Sequence, residues 1–407
     1  MKGSVCIRKK LKQGCQHTML YQITYLDYGL VGAFLLVIGY QVYFYCRYMS
    51  GIIRWQRRQK RRKATDVGVQ EECPGVSVIV CARNEQENLQ NYLYTLLAQD
   101  YPKFEVIVVN DGSEDGTWEV LEQYAASYPN LYVTFVPRDA HIISSKKLAL
   151  TIGAKAAHYE YLLLTDADCR PESRSWIREM VSGFAPRKGE KTEIVLGYSA
   201  YFEDDTLLNS LINYDTLFSG MQYIGMAMSG HPYMGVGRNL AYRRDMFFEH
   251  NGFRGLLNER AGDDDLFVNK VATSHNTAVV CTRGSVTWSV AKSTWREWLH
   301  QKRRHLSVSP LYNRRSKCRI GIEPLSRGLL YGLLIATFAL GSGMACCVVF
   351  ALWLLRMLMQ LLIVNRTAHR LGLRRYGLEV ILYDILLPLV SLYMLSTRPL
   401  YKHRLYW

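Results

Sequence analysis

Four short apolar runs, each handing over to a helical pattern, constrain residues 76 to 168 more tightly than any other feature of this sequence. Val76-Ser77-Val78-Ile79-Val80-Cys81 is a β-branched run of the kind found in strands covered on both faces. A helical pattern follows from Glu87 to Ala98. Glu105 to Val109 is a second run, and Asp115-Gly116-Thr117 opens a helix through about Tyr128. Leu131 to Val136 is a third, then comes a helix from about Ser145 to His158. Tyr161-Leu162-Leu163-Leu164-Thr165 is the fourth. Alternation at this spacing predicts right-handed βαβ units, and hence an α/β fold with a Rossmann-like, mostly parallel sheet and helices on both faces.

Ligands on such sheets bind at the carboxyl ends of the strands. Asn84, Asp111, Asp166 and Asp168 all fall there. Asp166-Ala167-Asp168 closes the fourth run, and in extended backbone residues i and i+2 point the same way. Two neighbouring carboxylates repel unless a cation lies between them. Magnesium or manganese suits such a pair, with substrate phosphates completing the shell. A plain acidic turn is the alternative.

After Asp168 the alternation weakens. Ile194 to Phe202 reads as a strand and Leu207 to Met228 as a helix. Gly235-Val236-Gly237-Arg238-Asn239 is a glycine-rich turn without the strand–helix setting of a phosphate loop. Ala261-Gly262-Asp263-Asp264-Asp265-Leu266 opens a helix, where acids also serve simply to complement the dipole. Trp295 to Leu306 is a basic aromatic helix. His141, His158, His231 and His305 lack spaced partners and read as surface or packing residues.

Tyr28 to Cys46 is almost uninterruptedly apolar, and about twenty helical residues cross a bilayer core. Arg47 and a dense basic run follow it, not a cleavage site, so an uncleaved anchor is expected. The positive-inside rule then places residue 54 onward in the cytoplasm. Leu329 to Val364 is apolar, broken by Gly341-Ser342-Gly343 and Arg356, and reads as one long span or a hairpin. Leu378 to Leu395 carries Glu379, Asp384 and Pro388, and spans the membrane or lies in its interface. Two or three helices are few for a channel, so they are expected to anchor.

The net charge of +15 clusters at Arg54 to Lys63, Lys302 to Arg304 and Arg366 to Arg375. Two clusters flank apolar segments, which points to a membrane surface; no nucleic-acid motif accompanies them. The ten cysteines show no Cys-x-x-Cys and read as reduced thiols, in keeping with a cytosolic face. The expected organisation is a tail to 27, a transmembrane helix 28–46, a basic linker 47–75 and a globular domain 76–310. A connector 311–328, one or two transmembrane helices 329–364, a segment 378–395 and a basic tail 396–407 complete it.

Taken in order, these motifs resemble the family 2 glycosyltransferases of GT-A fold. The order is Ala82-Arg83-Asn84-Glu85, Asp111-Gly112-Ser113, Lys146, Asp166-Ala167-Asp168, Gly237-Arg238-Asn239, Gly262-Asp263-Asp264-Asp265-Leu266 and Gln301-Lys302-Arg303-Arg304. The membrane-anchored bacterial branch related to cellulose, chitin and hyaluronan synthases is the nearest likeness, over roughly residues 74 to 310. The resemblance implies a nucleotide-sugar donor (usually uridine diphosphate-linked), Mg2+ or Mn2+, and inverting transfer to a hydroxyl of a glycan or lipid-linked acceptor. It implies that Asp111 contacts the base and that Ala82, Arg83, Asn84, Glu85, Lys146 and Asp166 line the nucleotide-sugar pocket. Asp168 would ligate the metal with Asp166 beside it, and Gly237, Arg238 and Asn239 would lie on the acceptor side. Asp263 would be the base, with Asp264 as the fallback, and Gln301 and Arg304 would steady the leaving group. His305 stands where the synthases have tryptophan, which argues against processive polymerisation. A polyprenyl-phosphate glycosyl transferase and a catalytically inactive glycan-assembly scaffold are the alternatives.

Overall fold

In the computed structural model, residues 24–63, 73–137, 145–185, 191–257, 259 and 261–401 are described. They divide into two compact units, one within 1–46, 318–363 and 376–392, the other within 47–317, 364–375 and 393–407.

The second unit is built on a seven-stranded sheet. Its first four strands are β1 (Val76–Ala82), β2 (Phe104–Asn110), β3 (Leu131–Phe135) and β4 (Tyr161–Asp166). They lie in the order β3-β2-β1-β4, all parallel. Val78, Ile79, Val106, Val108, Leu162 and Leu163 are fully buried, which is why these runs form strands covered on both faces. Each such side chain contributes roughly 1.5–3 kcal/mol on burial. The register pairs Ala82 with Asn110 and Cys81 with Asp166, so the carboxyl ends of β1, β2 and β4 are level. The four strands and intervening helices fall where the alternation placed them, to within two residues.

Beyond β4 the sheet continues through β8 (Leu240–Arg243), antiparallel to β4, then β6 (Ile194–Leu196) and β9 (Thr277–Val279). A three-stranded sheet of β5 (Arg170–Pro171), β10 (Thr287–Ser289) and β7 (Ser199–Tyr201) stands beside it. The single strand expected from Ile194 to Phe202 is thus two strands in different sheets. The break is at Gly197, whose N–H donates to the Asn239 carbonyl at 2.9 Å. A Cβ there would lie 2.5 Å from the Asn239 Cγ.

The basic stretch after residue 50 is helical, Gly51–Lys63, with Ile52, Ile53 and Trp55 buried and Arg57, Arg58, Lys60 and Arg61 exposed. It crosses the helix Leu207–Met228 at two glycines, where a Cβ on Gly51 would sit 2.6 Å from the Gly225 Cα.

The other unit is helical. Tyr25–Phe44 opens with a capping box between Thr24 and Asp27 and runs into a π-helical turn, Tyr45–Met49. Arg314–Leu340 and Gly343–Leu371 are separate helices broken at Gly341-Ser342, within the stretch 329–364 read from sequence as one long span or a hairpin. The first of them also passes through most of the stretch 311–328, read from sequence as a connector. Glu379–Tyr401 is the last helix. Phe34, Ile38, Leu330 and Val349 form a buried cluster, while Leu36, Ile335, Leu355 and Leu392 face outward. Among the described residues, two helices, Tyr25–Met49 and Gly343–Leu371, are long and apolar enough to cross a membrane.

Candidate active site

The loops after β1 and β2 are stitched to each other above the level strand ends. Asn84 adopts a left-handed conformation (φ 55°), donates its N–H to the Ser113 hydroxyl at 3.0 Å and accepts the Glu114 N–H at 2.8 Å. Its side chain therefore joins the two loops and does not cap its own helix. The N–H groups of Glu85 and Gln86 donate to the Thr117 hydroxyl and the Asp115 carboxylate. This lattice frames Asp111, which is 5% exposed. Arg83 stands 4.0 Å from its Oδ2, but its Oδ1 is buried with no hydrogen-bond partner among the described residues. A buried carboxylate oxygen without a partner is an open acceptor for an N–H or O–H. Ala82 is buried, and its carbonyl accepts the Asp111 N–H.

Lys146 is the hub of the acids. Its Nζ lies 2.9 Å from Asp166 Oδ1, at the end of β4, and 3.3 Å from Asp263 Oδ2. Burial pulls its ammonium down, but Asp166 and Asp263 more than offset this and hold its pKa well above the usual lysine value. Burial likewise pushes Asp263 up, yet Lys146 holds it below the usual carboxylate range. Asp168 accepts a hydrogen bond from the Ser289 hydroxyl at 2.8 Å and makes no ion pair among the described residues. Glu85 is pushed up by burial and by the charges of Asp168 and Asp166, against a hydrogen bond from Asn88. The acids are hard oxygen donors of the kind a divalent ion takes. No set of three or more such side chains converges among the described residues. The pair Asp168 and Asp166 therefore fits such an ion only with substrate oxygens completing its shell.

The three consecutive aspartates have three different roles. Asp265 accepts the Tyr312 hydroxyl at 2.6 Å and the Leu266 N–H at 2.8 Å, which makes it part of the scaffold. Asp264 accepts the N–H groups of Gly237 (2.6 Å) and Asp265 (2.8 Å). Burial and the charges of Asp263 and Asp265 push its pKa up to about 7. Only Asp263 turns to Lys146. Lys147, which the sequence did not single out, is wholly buried and donates to the carbonyls of Glu259 and Ala261 (2.9 Å to the latter), just before Asp263.

Arg238 lies over the Tyr201 ring, 4.2 Å from its centroid, and the Tyr201 hydroxyl accepts from the Gln301 amide at 3.3 Å. Asn239 is wholly buried; its amide donates to the carbonyls of Tyr198 and Ser285 and accepts the Trp176 N–H. It is a scaffold residue with no surface to offer an acceptor. Arg304 is exposed on the helix Trp295–Val308 and makes no ion pair among the described residues. Among the histidines, His158 is exposed and reaches Glu105, and His141 lies outside the described residues.

Residues 77–250 match the family model described as glycosyl transferase family 2. A poly-beta-1,6-N-acetyl-D-glucosamine synthase of Staphylococcus epidermidis is 34% identical over 98 residues, which is 24% of this chain and 23% of that protein. A probable glycosyltransferase of Bacillus subtilis, YdaM, is 25% identical over 264 residues, 64% of this chain and 58% of its own. The chain therefore spans less than two thirds of either relative. Among solved structures, a mannosyltransferase from Pyrobaculum calidifontis in complex with GDP-Man and Mn2+ superposes with a TM-score of 0.50 at 19% identity. The superposition covers 84% of this chain and 99% of that one, so the folds are alike.

Proposed function

We propose, from the match of residues 77–250 to the model described as glycosyl transferase family 2, a membrane-bound inverting enzyme. It moves a sugar from a uridine diphosphate-linked donor to a hydroxyl of a glycan or glycolipid in cell-surface polysaccharide synthesis. One observation carries the reading: Asp166 and Asp263, from distant parts of the chain, meet on either side of Lys146 at the level ends of β1, β2 and β4.

Inverting transfer needs a base on the face opposite the leaving group. The acceptor oxygen bonds to the anomeric carbon, the carbon–oxygen bond to the diphosphate breaks with its electron pair, and the hydroxyl proton passes to the base. Asp263 is that base: its depressed pKa keeps it ionised. Such assistance is typically worth about 10²–10⁴-fold. Asp168, with Asp166, would hold Mg2+ or Mn2+, which when bound offsets the charge of the departing diphosphate. The bare Oδ1 of Asp111 accepts the imide N–H of uracil. The basic residues Arg54 to Lys63, following the first apolar helix in the sequence, support a multi-pass protein of the inner membrane with its catalytic domain in the cytoplasm. The name of the staphylococcal relative supports a glycan product.

The test is thermal stabilisation of the detergent-solubilised protein by UDP and GDP, with and without Mn2+. A manganese-dependent shift with UDP that Asp168→Ala abolishes is expected. Asp263→Asn should keep the shift and lose transfer. A shift with GDP alone would overturn the choice of base, and folded protein unmoved by any nucleotide would overturn the transferase reading.

A further inference from the structure

Arg238 has no part in the steps above, yet it is among the most firmly placed residues at the site. Its carbonyl accepts the hydroxyls of Thr165 on β4 (3.1 Å) and Thr287 on β10 (3.0 Å), which ties it to both sheets. The preceding N–H, of Gly237, is bound to Asp264 in the acid loop. The guanidinium rests on the face of Tyr201, and Gln301 holds the Tyr201 hydroxyl. The charges of Asp168 and Asp166 act on it, but neither pairs with it within 4 Å. A guanidinium carries five N–H donors. Among the described residues only one of them has a partner, the Ala200 carbonyl at 3.4 Å.

We propose that Arg238 binds the diphosphate of the nucleotide donor, a proposal that rests on the transferase reading. The nearby acids Asp166, Asp168 and Asp263 would repel a diphosphate, so the site needs cations with open valences. Lys146 is engaged by Asp166 and Asp263. Arg304, the cation that the sequence motif pointed to, is exposed on its helix and unpaired among the described residues. Arg238 is instead anchored at its backbone, stacked on an aromatic face and left with donors to give. A planar fork of this kind suits paired phosphate oxygens and forms stronger hydrogen bonds than neutral donors do. This moves Arg238 from the acceptor side to the donor side. It also gives Gln301 a positioning role: its amide fixes the ring on which the guanidinium lies, and the face-on geometry is itself favourable.

The experiment compares UDP with uridine as stabilisers of the purified full-length protein in Mn2+, for wild type, Arg238→Gln and Arg238→Lys. The two ligands share the base and ribose and differ in the diphosphate. Wild type is expected to bind UDP far more tightly than uridine. Arg238→Gln should weaken UDP by roughly tenfold or more and leave uridine unchanged, with Arg238→Lys in between. A folded Arg238→Gln protein that keeps the wild-type preference for UDP overturns this proposal and leaves the transferase reading standing. Should Arg238→Gln show no cooperative melting, Arg238→Lys decides by the same comparison. Should wild type respond to GDP alone, GDP and guanosine replace this pair in the same comparison; a folded wild type that responds to none of the four overturns both.

Discussion

Adjacent residues of the same type have opposite assignments here. Lys146 reaches the carboxylates of Asp166 and Asp263, and Lys147, one position on, is buried against main-chain carbonyls of the loop carrying Asp263. The first was legible because it sits in a recurring motif order. The second was not, because a lysine in a helical pattern reads as solvated and nothing local announces its burial. The aspartate triplet shows the same boundary: the resemblance implied Asp263 as the base with Asp264 as the fallback, and only the structure shows that Asp264 holds the N–H groups of Gly237 and Asp265 while Asp263 pairs with Lys146. Asp264 yields a pH prediction. Its folded pKa, about 7, lies above the ordinary value of 3.8. Between the two the folded state binds more protons than the unfolded, so stability falls as pH rises. The contribution is fully present below the unfolded pKa and lost as pH passes the folded one. Wild type should therefore lose stability relative to Asp264→Asn from about pH 4 to about pH 7, then level off. Melting curves of both proteins across that range test this, and a difference independent of pH would remove Asp264 as the group responsible.

At the scale of elements, strands β1, β2 and β4 could be read off because both faces are covered, which demands an unbroken apolar run. The stretch from Ile194 to Phe202 could not. Its residues are equally apolar, and the switch between sheets depends on Gly197 meeting Asn239, 42 residues on in sequence. The crossing of the helices Gly51–Lys63 and Leu207–Met228 is hidden for the same reason: a glycine inside a helical pattern shows no partner. A Cβ on Gly225 would lie 1.9 Å from the Tyr48 carbonyl oxygen, which as main chain has little room to yield. Gly225→Ala is expected to destabilise the unit built on the seven-stranded sheet by about 1–3 kcal/mol, despite the better helix propensity of alanine. Thermal denaturation checks it; a variant as stable as wild type would mean that the helices separate at negligible cost.

For the whole molecule, the apolar segments matter less than the charges that interrupt them. Sequence registered Arg356 and Asp384 as flaws in otherwise continuous hydrophobic stretches. In the helical unit they are partners. Asp384 accepts from Arg356 Nη2 at 3.2 Å, Gln360 at 3.0 Å and the Tyr331 hydroxyl at 2.7 Å, with Arg327 at 3.5 Å. Arg327 also pairs with Glu323, so two cations face two anions, all at most 3% exposed. The charges come from three helices, Arg314–Leu340, Gly343–Leu371 and Glu379–Tyr401, and their pairing joins all three. A buried ion pair adds little net stability over an apolar replacement, but a single orphaned charge is expensive. Asp384→Leu leaves Arg356 without its carboxylate and takes one of two from Arg327, and should cost about 3–5 kcal/mol. Arg356→Met should cost less, because Asp384 keeps Arg327. The double variant restores neutrality, with Arg327 on Glu323, and should be more stable than Asp384→Leu alone. Melting of the four proteins in one detergent measures the coupling. If the two losses simply add, the network is not a pairing device, and the apolar faces alone select the arrangement of the helices.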